Sequence, residues 1–585
     1  MCCDFAQAFW QQLWETDAHC RLCEWTLPVR GWNSDQSHHA VLRYVHYCSV
    51  GDTMFLSIPA RMMRVLLVAS ILFTMTAAAA SAQVTAFRQA VAEAASRDED
   101  LAAFYRARDF QGIWSGMRDG SRRNALMAAF AAAPNHGLPA AKYDANALMA
   151  QLRAASTPAE QGRMEVELSR LFLSYARDVQ TGILRPASVV EAIKRKVPYR
   201  SRLGYLETFI QSNPAGYLRS LPPSSPEYTR LMREKMRLEL MLGAGGWGPT
   251  VKAKSLAPGA AGGEVINLRN RLIAMGFLER TATQTYDAAV QTAVQRFQQA
   301  HGLTVDGAAG SGTMRELNIP MASRLQSVIV AMERERWNNR PRGARHIWVN
   351  LTDFTASVVD NDRVTFSTRS VVGAVQEDRE SPEFSDVMEF MVINPSWYVP
   401  RSIVTKEYLP LMQQNRNAVS QLDVTDSKGR VVSRSSINFN DYDEKTFPYS
   451  MRQGPSEGNA LGLVKFIFPN KYNIYLHDTP SKSLFGREVR AFSHGCIRLN
   501  DPFDFAYALL AKQESDPEGF FQSRLKTGRE ARVNLNAPVP VHIVYRTAFT
   551  NVTGSLQFRR DIYNRDSRIW NALAREGVAV RAVQG

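Results

Sequence analysis

Cysteine is almost missing from this chain. Six occur among 585 residues, and five of them (Cys2, Cys3, Cys20, Cys23 and Cys48) fall within the first 48. The sixth, Cys496, stands alone. With no cysteine pairs beyond residue 48, no disulfide framework is available to the bulk of the chain. Zinc-finger spacing and basic-region heptads are also lacking. A nucleic-acid partner is therefore disfavoured despite a formal net charge of +14. That charge still favours an anionic partner, such as anionic lipid or a carboxylate-rich polymer. Long apolar runs are absent too. The most apolar stretch, from Val65 to about Met75, is short for a membrane span of roughly 20 residues, so no stable transmembrane anchor is expected.

Cys20 and Cys23 form a CxxC beside His19, His38, His39 and His46, which alone would read as a redox pair or half a zinc site. The next segment removes that reading. "RMMRVLLVASILFTMTAAAASAQV", from Arg61, has a basic start, an apolar middle and the small residues Ala80-Ser81-Ala82. This is the layout of a secretory signal peptide with an A-x-A cleavage site. Translation is thus expected to begin at Met62 or Met63, with 1–61 as upstream sequence and 62–82 as the signal. An uncleaved anchor with a small head is the alternative. The exported chain would carry one thiol into an oxidising compartment, where a lone cysteine is at risk of mispairing and oxidation. A reactive role for Cys496 is favoured over a small buried hydrophobe. No metal and no organic cofactor is expected.

The length suggests three or four domains. Residues 83–242 repeat apolar side chains at helical spacing, broken at "PNHGLP", "NPAG" and "LPPSSP", and read as a helical scaffold domain. Residues 243–263 are Gly/Ala/Pro-rich and read as a linker. Residues 264–320 predict two amphipathic helices, ended by Gly276 and Gly302, then a glycine-rich turn into a third with Thr313 as N-cap. The pattern of Phe297, Gln298, Gly302, Leu303, Asp306, Gly307, Gly310, Thr313, Leu317 and Asn318 resembles the three-helix peptidoglycan-binding domain. A charged connecting helix covers 321–344. From 345 to 550 the pattern alternates as strands, with a turn at Asp360-Asn361-Asp362 and a terminal hairpin within "VPVHIVYRTAFTNVTGSLQFRRDIY". A polar, partly helical insertion spans about 400–450. Residues 551–585 read as a C-terminal extension of that β domain. The fold class is multidomain α+β.

Within the β domain lies "AFSHGCIRLND", Ala491 to Asp501. A thiol attacks as thiolate, and an adjacent imidazole can take its proton. His136 and His301 sit in helix-ending turns and His542 in a strand. His477 and His494 are the candidates. The pattern H-x15-S-H-G-C-I-R-L-N, carried by His477, Ser493, His494, Gly495, Cys496, Arg498 and Asn500, resembles the signature of L,D-transpeptidases of the YkuD type. "NALGLVKFIFPNKYNIYLHDTP" and "INPSWYVPRSI" resemble their large Gram-negative branch. That branch joins a helical scaffold, a peptidoglycan-binding module and a mostly-β catalytic domain with a capping insertion. "RQGPSEGNALG" is less regular than the family's stretch there.

The resemblance implies roles. Cys496 is the nucleophile, His477 the base and then the acid, and the Asp478 carbonyl the third member. Gly495 allows close approach, and backbone N–H groups near Gly495 and Cys496 hold the oxyanion. Arg498 suits a substrate carboxylate or the oxyanion. Ser493, His494 and Asn500 complete the substrate-binding set, with His494 expected to shape the loop rather than act as base. Trp397 and Tyr398 line the groove or fill a core, and the sequence leaves both open. The implied partners are peptidoglycan stem peptides, as donor and acceptor, and carbapenem-type inhibitors, with a monomeric, wall-associated periplasmic protein. The implied reaction releases D-alanine from a tetrapeptide stem through a thioester and forms a 3→3 cross-link. Water, a lipoprotein lysine or a free D-amino acid are the alternative acceptors. A non-catalytic wall-binding protein is the reading from a different class.

Overall fold

The structure is a computed structural model and describes residues 85–376 and 378–584. The signal-type segment and the upstream Cys/His cluster lie outside the described residues. The helical part begins with a helix over 85–95 and includes α1 (Pro158–Thr181) and α2 (Pro226–Gly243). α1 starts where the sequence encodes a start. Thr157 accepts from Glu160 N–H, and Glu160 caps Thr157 in return, with Pro158 at the first helical position. Its apolar stripe, Val166, Phe172, Leu173, Ala176 and Val179, is buried in the helical core.

The next module is built from α3 (Gly263–Ala274), α4 (Ala288–Ala300) and α5 (Ser311–Leu317) around Val265, Leu268, Val290, Phe297 and Leu317. Two sequence expectations are corrected here. The stretch 243–263 is not a free linker from Val251 onward. Val251 is buried in the module core, Leu256 bridges to Ala309, and Ala261 bridges to Thr285. Its glycines and prolines suggested flexibility, but its apolar side chains anchor it. Thr313 is not the N-cap of α5. Gly310 holds that position, and the buried Thr313 hydroxyl accepts from Gln298 Nε2 at 3.1 Å.

α6 (Met321–Trp337) runs from this module into the helical core and leads to the sheet. The strands are β1 (Arg345–Asn350), β2 (Thr355–Asp360), β3 (Arg363–Gly373), β4 (Phe384–Ile393), β5 (Trp397–Tyr398), β6 (Asp423–Thr425), β7 (Ser450–Gln453), β8 (Val464–Ile467), β9 (Leu476–His477), β10 (Ala491–Ser493), β11 (Ile497–Leu499) and β12 (Ala531–Val544). The main sheet has the order β10-β3-β11-β9-β8-β4-β12-β1-β2, and β2 also pairs with β3. That last pairing closes eight strands into a circuit, leaving few open edges to template aggregation. The predicted turn after β2 holds, with Asn361 and Asp362 at positive φ of 48° and 62°.

β5, β6 and β7 form a separate three-stranded sheet in the insertion, beside helical residues 401–414. The insertion has its own core, including Val404, Leu409, Met412, Val424, Phe447 and Met451. Because β5 pairs with β7 (Trp397↔Gln453), the insertion leaves and returns at adjacent points.

The chain's end departs from expectation. The terminal hairpin is β13 (Ala548–Thr550) with β14 (Leu556–Phe558), while 539–544 belongs to β12. Residues 551–585 do not simply extend the catalytic domain. Phe558 and the residues Ile569, Ala572 and Leu573 of α7 (Arg565–Arg575) are buried in the helical core. The apolar stripe of α7 is legible in sequence, but its destination is not, because a stripe names no partner. A buried ionic cluster ties the junction. Arg334 of α6 pairs with Glu383 (2.7 Å) and Asp566 (2.8 Å), and Arg565 pairs with Glu383 (3.1 Å) and Glu380 (2.9 Å). Among the described residues, no helix is long and apolar enough to cross a membrane.

Candidate active site

Register assembles the site. β11 and β9 run parallel with Ile497 opposite Leu476 and Arg498 opposite His477. Ile497 and Leu476 are fully buried in the core. Side chains alternate along a strand, so the flanking residues face the other way. Cys496 and Arg498 on one strand and Tyr475 and His477 on its neighbour therefore share one face. Lys465 of β8 stands opposite His477 and extends the same row.

The loop before the cysteine is pinned by two buried serines. Ser381 Oγ donates to Gly495 O at 2.6 Å and accepts from Gly373 N–H at 2.9 Å. Ser493 Oγ donates to Cys496 O at 2.5 Å and accepts from Gly495 N–H at 3.2 Å. Ser493 is 2% exposed, which corrects its assignment to the substrate-binding set, because its hydroxyl is consumed within the loop. The Gly495 N–H is engaged as well, leaving the Cys496 N–H as the better placed of the two expected oxyanion donors. Gly495 has φ of +107°, and a Cβ there would meet Ile474 Cδ1 at 3.2 Å. Any L-residue would be both strained and crowded at that position.

His477 is buried, and its Nδ1 donates to Asp478 O at 2.5 Å. That bond fixes the tautomer and leaves Nε2 as a proton acceptor. Desolvation, aided by Arg498, lowers its pKa to about 3, so the ring is neutral. Asp478 contributes this carbonyl, while its carboxylate pairs with Lys482 at 2.7 Å. The Cys496 thiol is half-buried and donates to Asn473 O at 3.5 Å. Desolvation pushes it up to about 11, against opposing pulls from Tyr475 and Arg498. The resting pair is thus thiol and neutral imidazole. Alkylation of Cys496 by iodoacetamide should keep accelerating above pH 9, without the plateau near neutrality that a thiolate–imidazolium pair would give.

The Arg498 side chain forms no hydrogen bond or ion pair among the described residues, and its buried Nε has no partner. A desolvated, unpaired guanidinium beside a thiol is equipped for an anion. Asn500 is not brought to the cysteine. Its side chain donates to Asp501 Oδ1 at 2.7 Å, and it lines a neighbouring cavity of about 430 Å³ with Asp478 and Lys482. His494 points to the insertion, with Nε2 2.8 Å from Glu407 Oε1, which also accepts from Arg379 at 3.0 Å. Trp397 is buried in the insertion's core, whereas Tyr398 is 66% exposed beneath the Arg452 guanidinium.

Sequence reasoning missed Tyr475. Its hydroxyl lies against both the Cys496 thiol and the Trp397 indole, and its ring meets His477 edge-on at 5.6 Å. The signal was there, since Tyr475 is two residues before His477 in a strand. Ser381 and Lys465 were also missed. No group of three potential metal ligands occurs among the described residues.

A thiol, a neutral imidazole with a free acceptor nitrogen, a phenol and an unpaired guanidinium on one strand face form a site suited to acyl transfer through sulfur. Comparison with known proteins gives the domain families. Residues 344–530 match the family described as "L,D-transpeptidase catalytic domain", residues 261–317 the "Putative peptidoglycan binding domain" and residues 99–234 the "Scaffold domain". The chain therefore carries a YkuD-type L,D-transpeptidase catalytic domain together with a peptidoglycan-binding domain and a scaffold domain. A curated relative from Haemophilus influenzae, named "Putative L,D-transpeptidase", is 30% identical over 246 residues, which is 41% of this chain and 48% of the relative. Solved L,D-transpeptidase structures from Xylanimonas cellulosilytica and Stackebrandtia nassauensis are 15% and 16% identical. Each match covers 51% of this chain, with 100% and 97% of the solved chains, at TM-scores of 0.15 and 0.20. Those scores are too low to bear on the site.

Proposed function

We propose that the protein joins peptidoglycan stems by L,D-transpeptidation through a Cys496 thioester, giving 3→3 cross-links. The observation that carries this is the shared face of Cys496, His477 and the unpaired Arg498. As Cys496 attacks the carbonyl at the L-centre of the third-position diaminopimelate, His477 Nε2 takes the thiol proton. The Asp478 carbonyl steadies the imidazolium that forms. The Cys496 N–H faces the developing oxyanion, and Arg498 meets a substrate carboxylate. The protonated His477 gives its proton to the departing D-alanine amine. A side-chain amine of a second stem then attacks the thioester and releases Cys496. The net charge and the peptidoglycan-binding domain suit a wall-associated, exported protein. Residues 1–61 would be dispensable for this activity.

The test is to incubate the protein with disaccharide-tetrapeptide and weigh the products. Cross-linked dimer supports the reading, whereas tripeptide alone or exchanged stem assigns another acceptor. A carbapenem should add one drug equivalent to the intact mass, since its strained lactam offers Cys496 a carbonyl. No adduct on active enzyme would contradict an open groove.

The insertion serves as a cover in this reading. Its Glu407 bonds to His494, two residues from the thiol, and its Trp397 meets Tyr475. Covering the thioester would exclude water and favour an amine. Replacing 402–447 by a short Gly-Ser linker is sterically simple, because β5 and β7 are neighbours. The deletion should preserve carbapenem acylation and shift product from dimer toward tripeptide. An unchanged ratio in a folded variant would leave the insertion without a catalytic role.

A further inference from the structure

Lys465 is a cation that the proposed chemistry does not use. It stands opposite His477 on β8, on the reactive face, and is half-buried. No carboxylate pairs with it among the described residues. Among the described residues its side chain makes one hydrogen bond, a long one of 3.5 Å, to Ser396 O. Glu530 favours its charged form from a distance, but the Glu530 carboxylate is engaged by Ser396 N–H at 2.5 Å. Arg452, from the insertion, reaches the same place, with Nη2 2.9 Å from Ser396 Oγ and its buried Nε without a partner. A desolvated lysine held without a counter-ion is costly unless something anionic arrives. Burial accordingly lowers its pKa.

We propose that Lys465, assisted by Arg452, forms a subsite for a second carboxylate of the donor stem, the one at the D-configured end of the diaminopimelate side chain. This rests on the donor assigned above. Spacing supports the assignment. Arg498 is two residues from Cys496 on one strand, about 7 Å, whereas Lys465 is two strands over and one row along, about 12 Å between Cα atoms. The donor carries its carboxylates in the same order. The terminal D-alanine carboxylate is three bonds from the scissile carbonyl carbon, and the D-centre carboxylate lies beyond a longer aliphatic arm. The nearer cation suits the nearer carboxylate and the farther cation the farther one. The subsite would make the enzyme read the ionisation state of the diaminopimelate, distinguishing a free carboxylate from its amide.

The experiment is a substrate–mutant cycle on the full-length protein. D-alanine release is followed from disaccharide-tetrapeptide donors whose D-centre carboxylate is either free or amidated. Wild type should prefer the free acid by roughly 10- to 100-fold in kcat/KM, the worth of a charge-assisted hydrogen bond. Lys465→Met should bring that ratio close to one, and Lys465→Arg should restore most of it. Far-UV circular dichroism controls for folding. A lysine acting only on the charge of His477 would slow both donors equally when removed, leaving the ratio intact. That result, or a wild type without preference, overturns the subsite while the transpeptidase reading stands. Absence of D-alanine release by wild type from either donor overturns both.

Discussion

Cys496→Ala should form no acyl-enzyme with either a stem peptide or a carbapenem, with intact mass unchanged after incubation. His477→Ala should lose about 10²- to 10⁴-fold in acylation rate, the usual worth of a positioned base. The loss should be severe because the resting thiol is protonated, its pKa pushed up to about 11. Without an acceptor nitrogen, almost none of it ionises near neutral pH. His494→Ala should lose less, since its Nε2 is engaged with Glu407. A folded His494→Ala enzyme slower than His477→Ala would reverse the two roles.

Acid should unfold this protein early. Five histidines are held neutral by burial: His136 with a pKa lowered to about 4, His477 and His542 to about 3, and His301 and His346 lowered as well. Each binds its proton more readily in the unfolded chain, near pH 6.5. Their contribution is therefore complete above about pH 6.5 and is lost as pH falls, by about 1.4 kcal/mol per unit for each group. Two buried carboxyls oppose the trend. Asp566 is raised to about 6 and Glu165 is raised by desolvation, so both gain from protonation in the folded state. Five against two leaves a net loss. Urea midpoints between pH 7 and pH 4.5 should fall steeply, beginning near 6.5. A flat profile down to pH 5 would mean that these rings are solvated and chargeable in the folded protein.

The lone cysteine and the strand that ends in His477 were legible because chemistry and alternation are local properties. α1 announced its own start through Thr157, Pro158 and Glu160. What the sequence could not convey was which surfaces meet. Ser381 looks like any loop serine until the fold sets its hydroxyl against Gly495 O. Lys465 reads as a solvent-facing strand residue until β9 places His477 beside it. The Gly/Ala/Pro content of 243–263 suggested flexibility, since composition does not reveal that Val251 and Leu256 find a core. Tertiary partners decided each of these, and none lies within reach of a sequence window.

The helical core is assembled from segments more than four hundred residues apart in sequence. Val91 and Leu101 share it with Ile569, Ala572 and Leu573, and Arg565 donates to Ser381 O at 2.8 Å, beneath the serine that holds Gly495. Removing Arg565–Arg575 would therefore open an apolar flank on the helical core and take one brace from the floor of the loop that carries Cys496. A cut more than sixty residues beyond the thiol in sequence would thus loosen the thiol's own setting.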